Sequence, residues 1–446
     1  MRIELDKPIA LSEVCAAVGA RAPKKEATVT AITTDSRMAR ASDLFIAVGG
    51  GTRYIYDAHI RGALTLGDSS AADVRCVGEN ALLAAAAIYR RNALSGVREV
   101  VGITGSVGKT TTKEFITRLL LPYRRLHATV GNRNNQIGLP MTVLSARADT
   151  EALVLEMGMS APGEIAALSR VALPTVGIIT NVGTAHVGKL GSREAIALAK
   201  LEISAGLSGR LHGPLGEPLI DGRCDSLFAV GEGRDTAGRD VLTLSYRDGR
   251  VSVFRNGRFI GGGNFISGAR HHLACLSAAL SVATEIIGDG VLERIAEIGS
   301  DAVRERHTVL GDLTLVDDSY NASLESVSAS LDTLCDSGAP MRSALLGDIL
   351  ELGGLAPDIH AEVGRLAAER LNGELWLIGD FAVDIARGAV LGGFPVSKIH
   401  LMRSREECAE AIAARRGRES VLIKGSHACE LWRIADMVKE RRCDEK

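Results

Sequence analysis

The chain has 446 residues, a formal net charge of −2, 46% hydrophobic and 24% charged residues, which places it among soluble globular proteins of two or three domains. The near-neutral charge argues against a nucleic-acid or acidic-membrane partner, and an aromatic content of 4% argues against base-stacking platforms. No apolar run reaches the ~20 residues of a membrane helix, the acid-bearing start MRIELDKPIALSEVC does not read as a signal peptide, and eight cysteines without a C-x-x-C pair suggest reduced packing residues in a cytoplasm.

Residues 1 to about 95 mix short strands and helices. Asp35, Ser36 and Arg37 form either a polar ligand site or a capped turn. A strand over 43–48 ends in Gly49, Gly50 and Gly51, read as a flexible turn because no lysine follows. An alanine-faced helix over 81–91 leads to a hinge at Ser95 and Gly96.

The segment VVGITGSVGKTTTKEFITRLL at 100–120 reads as strand, glycine loop and helix. A loop that opens a helix aims unpaired N–H groups at one point, and the helix dipole adds positive potential there. Glycine lets that backbone approach a ligand. Lys109 adds a charge, and the Thr110 hydroxyl is placed for Mg²⁺. The standard phosphate loop would need glycine where Ile103 stands, so the motif is the shorter G-x-x-G-K-T-T. A nucleoside triphosphate is the expected ligand.

From 97 to about 306 strands and helices alternate, which predicts a mostly parallel sheet covered on both faces. GNRNNQIGLP at 131–140 suits either a turn-rich loop or hydrogen bonding to a sugar, phosphate or peptide. ALVLE at 152–156 puts the Glu156 carboxylate at a strand's C-terminal end, the ligand-binding edge of such sheets. Metal ligation or water activation is favoured there over a structural salt bridge. A strand over 175–181 brings Asn181, then His186, to the same edge. Ser192 caps a helix running to about 207; its Lys200 reads, from spacing alone, as a solvated lysine. A hairpin turns at 247–250, and a helix opens near 268 with the pair His271 and His272, which as neighbours on one helix are poorly placed to share a metal.

A third unit begins near 308. One strand ends in Asp317 and Asp318, followed by Tyr320 and Asn321, and further strands near 343–349, 375–379, 398–402 and 420–424 alternate with helices. This predicts a second doubly wound domain, with Lys424 at a strand end.

Seven motifs in order resemble the Mur ligase family over nearly the whole length: TGSVGKTTTKE at 104–114, GNRNNQIGLP at 131–140, LEMG at 155–158, TNVGTAHVGKLGSREAIALAKLEI at 180–203, DDSYNAS at 317–323, LGDILELG at 346–353 and KGS at 424–426. The resemblance implies an α/β protein of three domains. Residues 1–96 would bind a UDP-sugar substrate, with Ser36 and Arg37 near the nucleotide. Residues 97–307 would bind ATP, and residues 308–446, Rossmann-like, the amine. Thr104, Gly105, Ser106, Val107, Gly108, Lys109, Thr110 and Thr111 would hold the nucleotide phosphates, with Asn181, His272, Arg306, Asp317 and Asp318 completing the nucleotide site. Thr110, Glu156, His186 and Lys200 would surround Mg²⁺, Lys200 as a carbamate. Asn134, Asn135, Tyr320, Asn321 and Lys424 would orient substrate.

The implied chemistry is an ATP-dependent, ADP-forming ligation of a carboxylate to an amine through an acyl phosphate, with UDP-muramyl tripeptide and D-alanyl-D-alanine as the reactants, in a cytoplasmic monomer. The chain departs from the family pattern at Gly188, in place of an acid, and in lacking an Asn-Ala-Asp segment over 210–222. It departs again at His271, His272 and Cys275, at Glu305, and at His427. These departures predict a diverged ligase with another carboxylate and amine; a homologue that binds nucleotide without catalysis is a further alternative, opposed by the retention of Lys109, Glu156, His186 and Lys200.

Overall fold

The computed structural model describes every residue except 24, 25, 234, 236, 300, 301, 303–305, 445 and 446, so the departure at Glu305 lies outside the described residues. Among the described residues the strands form three separate sheets, five-, nine- and six-stranded, whose strands fall within residues 2–75, 99–264 and 306–424. No helix among them is long and apolar enough to cross a membrane.

The nine-stranded sheet positions the site. Its strand Glu99–Thr104 is buried along nearly its whole length and lies parallel between Ala152–Glu156 on one side and Val176–Ile179 on the other. The chain leaves Thr104 and winds first toward Leu126–Ala128 and Ala152–Glu156, then crosses back to Val176–Ile179 and onward to Leu211–Pro214. The winding therefore reverses at Glu99–Thr104, and a reversal point leaves an open crevice at the strands' C-terminal ends. Glu156, Asn181 and the phosphate loop all stand at that crevice. The far edge turns antiparallel in the meander Asp240–Arg247, Arg250–Arg255 and Arg258–Asn264, with the hairpin closing at Arg247 and Arg250 as predicted.

The helix Lys109–Leu120 starts at Gly108, whose φ of 79° is left-handed. It buries Thr112, Phe115, Ile116, Leu119 and Leu120, the spacing of one helical face. That face meets the alanine-rich helix Arg270–Ile287, and Phe115 packs edge-on against Phe265 at 5.7 Å. The expected helix over 192–207 is shorter: Arg193–Leu201, capped by Ser192, then a tighter turn over Glu202–Ala205. The triple glycine is a turn, as expected. It opens a 3₁₀ turn, Gly49–Tyr54, in which the Gly49 N–H is held by the Glu79 carboxylate at 2.6 Å.

The C-terminal sheet runs Arg306–Leu310, Leu313–Asp317, Glu419–Lys424, Met341–Leu346, Leu375–Leu377 and Ile399–Leu401, parallel after the first pair. Asp317 pairs with Ile423, and Leu346 with Lys424, so the ends carrying Asp318, Lys424 and Asp348 lie level at one edge. Asp348 accepts the Asp380 and Phe381 N–H groups at 2.9 and 3.0 Å, and Gly379 leaves it room: a Cβ there would lie 2.5 Å from the carboxylate.

Candidate active site

The phosphate loop is braced from the neighbouring strand. Asn181 accepts the Ser106 and Val107 N–H groups through its side-chain oxygen at 2.9 and 3.0 Å. The Thr180 hydroxyl donates to the Val107 carbonyl at 2.6 Å, and Gly183 N–H to the Ser106 hydroxyl at 2.9 Å. Two glycines make this possible: a Cβ on Gly105 would fall 1.8 Å from the Thr180 hydroxyl, and one on Gly108 would fall 2.9 Å from the Cys275 sulfur. Lys109 Nζ arches over the loop to the Gly105 carbonyl at 2.6 Å and the Ser106 carbonyl at 3.3 Å. Thr104 is buried beneath the loop.

Glu156 is buried, yet both its partners are neutral. Its Oε2 accepts the Thr110 hydroxyl at 2.7 Å, and its Oε1 accepts the Asn134 amide at 2.8 Å. No cation compensates the carboxylate through these bonds, so the arrangement suits a metal ion better than a salt bridge does. Asn134 reaches Glu156 because residue 158 is glycine; a Cβ there would lie 2.9 Å from the Asn134 oxygen. Asn135 instead accepts the Ile137 and Gly138 N–H groups and starts the helix Gly138–Leu144.

His186 sits with φ of 67°, an uncommon conformation for a non-glycine residue. Burial pushes its imidazole down from the ordinary range, with Lys109 and Lys200 adding to the effect and Glu351 opposing it. A neutral ring is the form that binds metal. Lys200, far from being solvated, is 1% exposed. Burial first, then the Lys109 charge, depress its ammonium well below the usual lysine range, against some support from Glu325. Lys109, His186 and Lys200 thus share one electrostatic neighbourhood.

A cavity of about 700 Å³ joins the phosphate loop to Glu156 and His186, while the buried Lys200 lines neither this cavity nor the second one. Its wall includes residues 106–111, Asn134, Asn135, Glu156, Asn181 and His186 from the central unit, Glu79 from the N-terminal unit, and Asp318, Tyr320, Asn321, Glu325 and Lys424 from the C-terminal unit. A second cavity of about 1680 Å³ shares Thr110, His272, Tyr320 and His427 with the first and adds Tyr246, Arg306 and Asp317. His272 is locked by Ser267 at 2.8 Å, and burial, with His271 and His307, lowers it to about 3. It is therefore a neutral hydrogen-bonding group. Burial lifts the Cys275 thiol to about 11, so it acts as packing beneath Gly108.

Some expected residues take other places. Ser36 and Arg37 line neither cavity. Asp35 caps their turn by accepting the Arg37 N–H and pairs with its guanidinium at 2.8 Å, which is the capped-turn alternative. Lys424 Nζ bonds the Asp318 carboxylate at 2.6 Å, the Asn321 carbonyl at 3.0 Å and the Asp318 carbonyl at 3.2 Å. Its donors hold the loop 318–321 together, and the side chain lines the first cavity. Asp317 turns back on its own loop, accepting the Ser319 hydroxyl at 2.5 Å.

Sequence reasoning missed Glu325 and Glu351. Glu325 accepts the Thr184 N–H at 2.7 Å from across the domain junction, and Glu351 meets His186 and Lys189 there. Glu351 lies within LGDILELG, a quoted motif that carried no role; Glu325 had no signal apart from lying two residues beyond DDSYNAS.

A phosphate loop, a carboxylate beside a phosphate-loop threonine, and facing residues from a second Rossmann-like unit define a nucleotide-dependent group-transfer site of ligase type. Residues 103–211 match the Mur ligase middle domain, and residues 304–427 match the Mur ligase glutamate ligase domain. The UDP-N-acetylmuramoyl-tripeptide–D-alanyl-D-alanine ligase of Synechocystis is 35% identical over 80% of this chain and 81% of its own length. That of Treponema pallidum is 31% identical over 97% of this chain and 100% of its own. The crystal structure of MurF ligase from Thermotoga maritima in complex with ADP is 28% identical, with a TM-score of 0.78 over 93% of this chain and 98% of that one. The chain belongs to the Mur ligase family, and it is an ATP-dependent, ADP-forming ligase.

Proposed function

We propose that this ligase joins the terminal carboxylate of a UDP-muramyl tripeptide to D-alanyl-D-alanine, within peptidoglycan synthesis. The names of relatives that share 31–35% of their residues over most of this chain support these substrates. The carrying observation is the Thr110–Glu156–Asn134 chain facing the phosphate loop. The donor carboxylate attacks the γ-phosphorus of ATP, giving an acyl phosphate and ADP. The amine then attacks the acyl carbon, phosphate leaves, and the amine loses a proton. Negative charge gathers in both transition states, and Lys109 with the loop amides is positioned to stabilise it.

Among the described residues no three His, Cys, Asp or Glu side chains form a metal cluster. Mg²⁺ bound to phosphates needs only one or two protein ligands beside water, and Thr110 with Glu156 provides such a pair, with His186 nearby on the same wall. Bound there, Mg²⁺ would neutralise phosphate charge. Burial disfavours the charged form of Lys200, which suits carbamate formation: the deprotonated amine would attack CO₂, forming the C–N bond as one C=O π bond opens, and a proton would be released, leaving an anion on the helix Arg193–Leu201. Residues 1–96 would carry the UDP-sugar, 97–307 ATP, and 308–446 the amine, within a cytoplasmic monomer. The donor would approach from the Glu79 side of the cavity; the adenosine would extend into the second cavity past His272 toward Arg306.

The test is mass spectrometry of the product after incubation with UDP-MurNAc-tripeptide, D-Ala-D-Ala and ATP. The UDP-pentapeptide, one equivalent of phosphate and ADP are expected. Phosphate release only with a different amine or carboxylate would reject these substrates while leaving the ligase chemistry.

A further inference from the structure

The turn carrying His186 is docked on the C-terminal unit by one residue. Glu351 places Oε2 at 2.5 Å from His186 Nδ1 and Oε1 at 2.6 Å from Lys189 Nζ, and its carbonyl accepts the Gly188 N–H at 3.1 Å. The His186 contact is close but out of line for a hydrogen bond. Both residues facing each other have left-handed backbones, φ 67° at His186 and 64° at Glu351. Such conformations persist where surrounding contacts over-determine them.

Gly188 explains why the carboxylate comes from the other domain. A Cβ at 188 would lie 2.4 Å from Gly353 N, 2.5 Å from the Leu352 carbonyl carbon and 2.6 Å from the Glu351 oxygen, all backbone. No side chain fits at 188 while the two units are docked this way. An acid at that place would belong to the same turn as His186 at all times. The Glu351 acid is present only when the C-terminal unit has arrived.

We propose that Glu351 is a positioning residue for His186, so that docking of the C-terminal unit completes the metal-facing side of the phosphate site. A carboxylate packed 2.5 Å from one ring nitrogen limits how the ring can turn and leaves the other nitrogen for a ligand, and His186 lines the cavity. Lys189 holds the second carboxylate oxygen, which sets the angle at which Glu351 meets the ring. The inference rests on the reading of His186 as part of the phosphate site.

The test compares Glu351→Gln, Gly188→Ala, His186→Ala and the double variant Glu351→Gln/His186→Ala. Turnover and the Mg²⁺ half-saturation are measured, together with the radius of gyration of the unliganded protein in solution. Glu351→Gln is expected to lower kcat about 10- to 100-fold, the usual range for a residue supporting a metal ligand, with KM for the UDP substrate unchanged and more Mg²⁺ required. Gly188→Ala is expected to reproduce that loss and to enlarge the radius of gyration. The double variant should be no worse than His186→Ala, since both changes remove one arrangement. Glu351→Gln within twofold of the parent while His186→Ala is inactive overturns the proposal and spares the site. Losses that multiply in the double variant overturn it too, as does Gly188→Ala with parental activity and size. Parental activity in His186→Ala rejects the site reading itself, and this inference with it.

Discussion

Two lysines are buried in this molecule, and the fold treats them in opposite ways. Lys424, in the C-terminal sheet, is enclosed with a full set of acceptors: one carboxylate oxygen and two carbonyls. Lys200, on a central-domain helix, has no hydrogen-bond or ion-pair partner among the described residues, and its nearest charged influences are Lys109 and, more weakly, Glu325. Burial without partners disfavours the protonated form of a lysine, and only the deprotonated amine is a nucleophile. One lysine is therefore fastened by its acceptors, and the other is a buried amine without them. The same contrast separates Asp318, bound to Lys424 and Ser330, from Glu156, which is held only by a hydroxyl and an amide.

The comparison can be pressed from its strongest consequence downward. Lys109→Ala removes the charge aimed at the transferring phosphoryl group and should cost about 10³-fold or more in kcat; steady-state phosphate release reads it. Lys200→Ala should lose about 10²-fold, the scale of one charge-stabilising group. Short-chain carboxylic acids should restore part of that loss if the side chain works as a carbamate, and parental activity would dismiss the carbamate. Lys424→Met should instead act on folding. Breaking a buried pair costs about 3–5 kcal/mol, which the partial exposure of Asp318 reduces to about 2–3 kcal/mol, seen in the urea midpoint. Lys200→Met should go the other way and stabilise by about 1 kcal/mol, because it replaces an unpartnered buried amine with an apolar chain.

The smallest effect is a pH slope. Folded Lys200 binds its proton less tightly than the unfolded lysine, whose ordinary value is 10.5. Between those two points the unfolded state holds more protons, so stability rises with pH across that window, by at most about 1.4 kcal/mol per unit. In CO₂-free buffer the parent should show this rise relative to Lys200→Met; parallel curves would mean that Lys200 stays protonated.

Much of the site was legible because it is local. G-x-x-G-K-T-T behind an apolar strand, and a carboxylate ending another, carry their chemistry in a few consecutive residues. The helix Arg193–Leu201 shows where that legibility stops. Leu198 is 64% exposed while Lys200 is buried, the reverse of what hydropathy predicts, so periodicity alone misassigns the lysine. Only the resemblance to a family corrected it. Conflict between local preference and burial is expected where function overrides stability. Glu325 and Glu351 lay beyond sequence reasoning for another reason: their partners Thr184, His186 and Lys189 are more than 140 residues away in the chain, and no local pattern encodes a meeting of two domains.

The seam between the N-terminal and central units differs in kind from the one that Glu351 bridges. The buried Tyr89 hydroxyl donates to the Ala146 carbonyl at 2.9 Å, the buried Arg90 reaches the Ala172 carbonyl at 3.4 Å, and Asp6 accepts the Ala148 N–H at 2.7 Å. Two of those three bonds are buried, whereas the Lys189–Glu351 pair is partly exposed. On the proposed division of labour, the carboxylate and the triphosphate rest on units that share buried hydrogen bonds, and the nucleophile rests on the unit that reaches the phosphate site through Glu351.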